Sequence, residues 1–220
     1  MNSEDKIEDL KSQILQHQNI KIIDSLRDEG IEYNVSYGVI IPELKDISKP
    51  YKGDHELALR LFQEDIRECK IIASMIDDPE KVTGDQIDEW SNDFINTEIV
   101  DQVCSNLFWK SPYALSRSIE WCIQGDPLYQ KAGLIIIGRR ASDSLLNDAI
   151  FEPYPGIIEN MAETDEELIR NTALFALREI AKRGPKLEEK VISSAERMTV
   201  SDFEVASWIG NQLLFEFSEE

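Results

Sequence analysis

Lys131-Ala132-Gly133-Leu134-Ile135-Ile136-Ile137, running on to Arg139-Arg140, and Asn171-Thr172-Ala173-Leu174-Phe175-Ala176-Leu177, running on to Lys182-Arg183, are two versions of one pattern. They lie about forty residues apart, the period of HEAT-type helix-pair repeats. One helix pair cannot bury its apolar stripe alone, so neighbouring pairs stack and share a continuous core. The small residues Ala132, Gly133, Ala173 and Ala176 suit the close approach of adjacent helices. A compact helical bundle is the alternative, and the period disfavours it.

The rest of the chain agrees with helix pairs. Apolar residues recur at helical spacing almost throughout, and no run alternates with period two. The spacing predicts helices over 4–16, 19–29, 42–49, 54–65, 66–77, 84–94, 97–108, 112–124, 127–140, 143–149, 155–162, 165–183, 186–198 and 202–215. Starts are marked by Ser3, by the capping boxes Thr83/Gln86 and Thr164/Glu167, and by Ser111-Pro112 and Asp126-Pro127. Gly30 and Gly184-Pro185 mark stops. The expected class is all-α, a curved α-solenoid. With no Pro-, Gly- or Ser-rich linker, 1–220 reads as a single HEAT-like repeat domain.

Charge narrows the function. Lys plus Arg number 23 against 43 Asp plus Glu, a net of −20, while 42% of residues are hydrophobic. The chain is therefore too apolar for a disordered acidic tail, and its charge disfavours anionic membrane surfaces. Glu4, Asp5, Glu8 and Asp9 are wrong for a basic signal-peptide leader. A soluble cytoplasmic protein is expected. Cys69, Cys104 and Cys122 read as reduced core thiols. His17 and His55 lack metal-ligand spacing, and Asp54-His55-Glu56 reads as a helix start, not a ligand cluster. Phosphate loops and nucleophile elbows are absent, so neither metal nor cofactor is expected.

Tyr37-Gly38-Val39-Ile40-Ile41-Pro42-Glu43-Leu44 resembles the opening motif of the AlkD-like DNA alkylation-repair family, which usually has arginine where Ile40 stands. Arg67-Glu68 to Asp78-Pro79, Trp90 to Phe94, Asn96 to Cys104, Glu120-Trp121 and Ala173 to Gly184 continue the resemblance in order, from about residue 35 to the end. Residues 1–34 would then be N-terminal helices, and 35–220 the family-like repeats. The resemblance implies HEAT-like pairs whose concave face cradles duplex DNA in active relatives. Those relatives cleave the N-glycosidic bond of cationic alkylated purines without metal or cofactor.

That reaction builds oxocarbenium character on the sugar, so it needs a nearby carboxylate and aromatic faces for the cation. Active relatives use Trp-x-x-x-Asp, which shares one helical face. The matching stretch here is Thr97-Glu98-Ile99-Val100-Asp101: the resemblance makes Asp101 the catalytic candidate and puts Thr97 where the indole stands. The family's arginine falls at Lys131, or at Ala132 with a one-residue shift, and its second aromatic at Phe175. Trp90 and Trp109 are the nearby indoles open as replacements for the missing one. As ordinary structure, Asp101 would be a first-turn acid, Phe175 a core ring and Lys131 a solvated charge.

From Glu64 to Asp101 there are twelve acidic and three basic residues, net −9, where a DNA-facing groove usually carries a basic stripe. The candidate phosphate stripe is C-terminal: Arg170, Arg178 and Lys182, with Arg139, Arg140, Arg183 and Lys186 beside them. Two readings follow. One is a non-catalytic interaction module with a degenerate glycosylase site, offering an acidic surface to a protein partner. The other is a glycosylase excising N3- or N7-alkylated purines from DNA.

Overall fold

In the computed structural model, which describes residues 2–164 and 166–218, the chain condenses into two compact units. The first ends at Tyr113 and the second begins at Ala114. Among the described residues every regular element is helical, with no strand. No helix among them is long and apolar enough to cross a membrane.

The first unit carries α1 (Ser3–Gln16), α2 (Ile20–Asp28), α3 (Ile41–Ser48), α4 (His55–Phe62), α5 (Arg67–Ile76), α6 (Gly84–Ser91) and α7 (Thr97–Asn106). Its centre is α5, packed against α3, α4 and α7, with Ile71, Ile72, Ala73 and Ile76 wholly buried. Trp90 stacks flat on Phe62 with centroids 3.9 Å apart, and Lys70 points its Nζ at Asp93 (2.9 Å).

Polar bonds fix how the segment before α3 meets α5 and α7. The Arg67 guanidinium, 2% exposed, donates to both oxygens of Glu98 (2.7 and 2.5 Å), to the Val39 carbonyl (2.9 Å) and to Glu68 (2.8 Å). Burial opposes its charge, yet the bonds to Glu98 and the charge of Glu68 hold its pKa above the ordinary value. Glu68, fully buried, accepts in addition the N–H groups of Tyr37 (3.1 Å) and Val39 (3.2 Å). Between those two residues, Gly38 has φ +70°, and a Cβ there would sit 2.2 Å from the Asn19 carbonyl oxygen. The chain turns there only with glycine.

The second unit carries α8 (Ala114–Ile123), α9 (Pro127–Ala141), α10 (Tyr154–Met161), α11 (Arg170–Ala181), α12 (Pro185–Thr199) and α13 (Glu204–Ser218). The two quoted stretches are α9 and α11, which pack together. A Cβ at Gly133 would meet the Ser118 carbonyl at 2.7 Å, and one at Gly138 the Phe175 ring at 2.5 Å. The two glycines thus let α9 touch α8 and α11 at backbone distance. Ser118 donates to the Gly133 carbonyl (3.0 Å), and Tyr154 reaches Ser118 in turn (3.3 Å).

Much of the punctuation reads as expected. Asp126 caps α9, with Pro127 at its first position, Thr83 caps α6 through the Gln86 N–H, and Gly184 precedes Pro185 between α11 and α12. All three cysteines are buried and outside any disulfide, and burial pushes Cys69 and Cys122 up to about 12. Other details differ. Asn2, not Ser3, caps α1. The Gln86 side chain bonds Asp77 (2.6 Å), so Thr83/Gln86 is half a capping box. After Ser111-Pro112, α8 starts at Ala114. The expected 165–183 helix opens with a 3-10 turn at Glu167–Ile169, and Thr164 caps the Glu166 N–H instead.

The largest departure is 143–149, which forms no α-helix, only a 3-10 turn at Asp148–Ile150. Asp143 and Asn147 side chains take backbone N–H groups at Leu145 (3.0 Å) and Ala149 (2.9 Å), a local alternative to helix bonds. The Arg183 guanidinium then satisfies the freed carbonyls of Ala141 (2.7 Å), Asp143 (2.8 Å) and Leu146 (2.6 Å). It lies 4.3 Å from the Phe151 ring centroid, so this member of the expected basic patch holds a loop.

Two substitutions test the first unit. Arg67→Met strands Glu68 and Glu98 without their counter-charge and is expected to cost about 3–5 kcal/mol in denaturant unfolding. Gly38→Ala meets both strain and clash and should cost at least ~2 kcal/mol. Gly53→Ala, with φ +83° and open space around it, should cost only about 1 kcal/mol.

Candidate functional site

Asn96 caps α7, its side-chain oxygen accepting the Ile99 N–H (3.0 Å) and the Tyr33 hydroxyl (3.3 Å) while its amide donates to the Glu32 carbonyl (2.9 Å). Glu98, in the first turn, grips Arg67. Burial, and Glu98 alongside, push the Tyr33 hydroxyl pKa far up, so it stays a neutral donor. The helix start is thus bolted down on two sides.

Thr97 opens α7 and Asp101 follows four residues later on the same face, both half-buried. Asp101 therefore stands in the second turn. The first-turn acid is Glu98, whose carboxylate is committed to Arg67.

In the second unit, Lys131 lies one turn into α9 and is half-buried, whereas Ala132 is wholly buried; of the two alternatives Lys131 is the residue at the surface. Two turns on, about 10 Å along the axis, Gly138 supports the Phe175 ring, which is 37% exposed. Phe175 is therefore no ordinary core ring. It packs against a glycine and keeps part of its ring in solvent.

The candidate stripe comes together on α11, but with carboxylates. Arg178 donates from both Nε and Nη2 to Glu216 of α13, and Lys182 bonds Glu179. Arg170 sits 3.5 Å from Glu167 and 4.7 Å over the Trp208 ring. Arg178 and Lys182 line a pocket of about 320 Å³ with Gly184, Glu188, Glu216 and Phe217. On the next helix, Lys186 and Lys190 share Glu152, and Arg197 holds the Glu159 carboxyl below its usual range.

Two further residues bear on an indole substitute. Trp90 is 2% exposed inside the Phe62 stack and offers no face to a ligand. Trp109 is half-buried and donates its Nε1 to the Ser105 carbonyl (2.9 Å). Among the described residues no group of three His, Cys, Asp or Glu side chains is placed to hold a metal. Sequence reasoning missed Glu98 and Glu68 as the groups that aim α7 and the 35–39 segment. Their signal was the adjacent Arg67-Glu68 pair on a helix whose residues are nearly all buried.

No curated protein matches the chain significantly. A solved structure from a new family of proteins related to the HEAT-like repeat DNA glycosylases, with affinity for branched DNA structures, is 17% identical in sequence. It superposes with a TM-score of 0.78, covering 94% of this chain and 93% of that one, so the HEAT-like fold is shared. The family model for DNA alkylation repair enzymes matches residues 9–203, taking in the second half of α1 and all of α2 as well as the repeats and stopping before α13. By that match the chain belongs to the DNA alkylation repair enzyme family.

Proposed function

We propose that this chain is a binding module of the DNA alkylation repair family that no longer excises bases. The observation that carries the reading is the opening of α7, where Thr97 stands in place of an indole on the face that carries Asp101. A methyl and a hydroxyl offer no quadrupole to a cationic base, a loss of about 2 kcal/mol when the contact is desolvated. At 1.36 kcal/mol per tenfold, that slows the chemical step about thirtyfold if the contact tightens in the transition state. Lys131 offers a point charge where a planar arginine fork would clamp phosphate in two bonds. Each cation of the α11 stripe already faces a carboxylate, so a phosphate would have to displace it.

A second reading concerns the ligand. The shared fold of the branched-DNA-binding neighbour favours branched DNA over linear duplex as the nucleic acid to try first. The exposed half of Phe175 is a surface on which an unstacked base at a junction would pack.

The test is base release from methylated duplex DNA. The expected result is no 7-methylguanine or 3-methyladenine above background, with Asp101→Asn unchanged; robust Asp101-dependent release restores the enzyme. The double change Thr97→Trp with Lys131→Arg should raise base release if those two positions are what removed it. A salt titration against a four-way junction and a matched duplex separates the ligands. Junction binding that falls steeply with salt supports branched DNA, and no binding to either at low salt supports a protein partner.

A further inference from the structure

We infer that the recess between α2 and the 31–36 segment is a docking groove for a partner-protein segment that carries an apolar anchor flanked by lysine or arginine. The inference rests on the reading of the chain as a binding module and gives that module a surface and a partner chemistry.

The first observation is that the apolar face of α2 is only partly covered, with Ile22, Ile23 and Leu26 half-buried and Ile20 exposed. Among the described residues it is the α-helix of the first unit with no fully buried side chain, although Ile20, Ile22, Ile23 and Leu26 give it an apolar face. Its neighbours hold it by backbone. Asn19 donates to the Tyr37 carbonyl (2.8 Å), the Ile31 N–H returns to Leu26 (2.8 Å), and Gly38 presses on Asn19 and Ile23. What remains is a pocket of about 420 Å³ whose walls combine Ile23, Leu26, Ile31 and Val35 with polar groups, Arg27 and Glu32 among them, and Val35 itself is 39% exposed. That volume suits one or two apolar side chains.

The second observation is the rim. Asp24, Asp28, Glu29 and Glu32 are exposed along α2 and the segment after it, and Asn34 holds Asp65 beside them (2.8 Å). Against these five carboxylates stand Lys21 and Arg27, and Arg27 already lies 4.0 Å from Asp24. The whole first unit, 1–113, has twelve basic and twenty-four acidic side chains, net −12. A nucleic acid would meet that rim with like charge, and so would a second copy at net −20. A basic segment is steered toward it, and its apolar anchor fills the floor.

The experiment uses the full chain with ¹³C-labelled Ile, Leu and Val methyls and a short capped peptide bearing one central Leu-Trp pair flanked by lysines. Saturable binding is expected, with shifts at Ile23, Leu26, Ile31 and Val35. Glu32→Lys with Asp28→Lys should weaken it about tenfold, and Val35→Ser should weaken it too. Glu196→Lys with Asp202→Lys, equal in charge but on the second unit, should leave it unchanged. The inference falls if a glutamate-flanked peptide binds as well, if the second-unit pair weakens binding as much as the rim pair, or if shifts lie elsewhere. It falls equally if a four-way DNA junction, not the peptide, shifts the groove methyls. Absent peptide binding with absent base release overturns the groove and leaves the module reading standing; base release overturns the module reading whatever the peptide does.

Discussion

A guanidinium that is 2% exposed has to find an acceptor for nearly every N–H it carries, and the first unit is arranged around that need. Arg67 finds two carboxylates and a carbonyl, each from a different part of the chain: Glu68 beside it, Glu98 on α7 and Val39 ahead of α3. Remove any one and a buried charge or dipole is left without compensation, at a cost larger than the net worth of the pair. The network therefore acts more as a constraint than as a source of stability. It allows one register for the 35–39 segment and one starting point for α7.

The helices were legible because local chemistry and tertiary packing agree. Asp126-Pro127 and Gly184-Pro185 stop and start the chain whatever surrounds them, and the α9/α11 repeat is written in small residues that the packing then uses. Where the two disagree, the sequence misleads. Asp143 to Asn147 has helical spacing, but its short polar side chains bond their own backbone, and Arg183, some forty residues on, supplies the donors that make the loop affordable. No local pattern announces that partner.

The candidate site was legible as a list of residues and not as an electrostatic environment. Arg170, Arg178 and Lys182 read as a stripe because helical spacing is visible in a sequence. Glu216 comes from a different helix, so its pairing with Arg178 is not visible. Phe175 shows the converse. Its apolar neighbours in sequence suggest a core ring, while Gly138 across the helix interface props it up with one side in water. In both cases the missing information lies on the facing helix.

The geometry of α7 explains how this fold can keep its shape while residue 97 varies. Asn96 and Glu98 hold the helix, and Thr97 and Asp101 share a different stripe, because successive residues are turned about 100° apart. The Thr97 side chain takes part in none of the bonds to Arg67, Tyr33 or Glu32. An indole exchanged for a threonine at this position leaves every scaffold bond intact, so selection on the fold does not resist it. The same separation limits the reverse change: an indole restored at 97 would inherit a correctly aimed helix, but it would face a unit with twice as many acids as bases. On the proposed reading, long-range charge and not the backbone is then what opposes an approaching DNA.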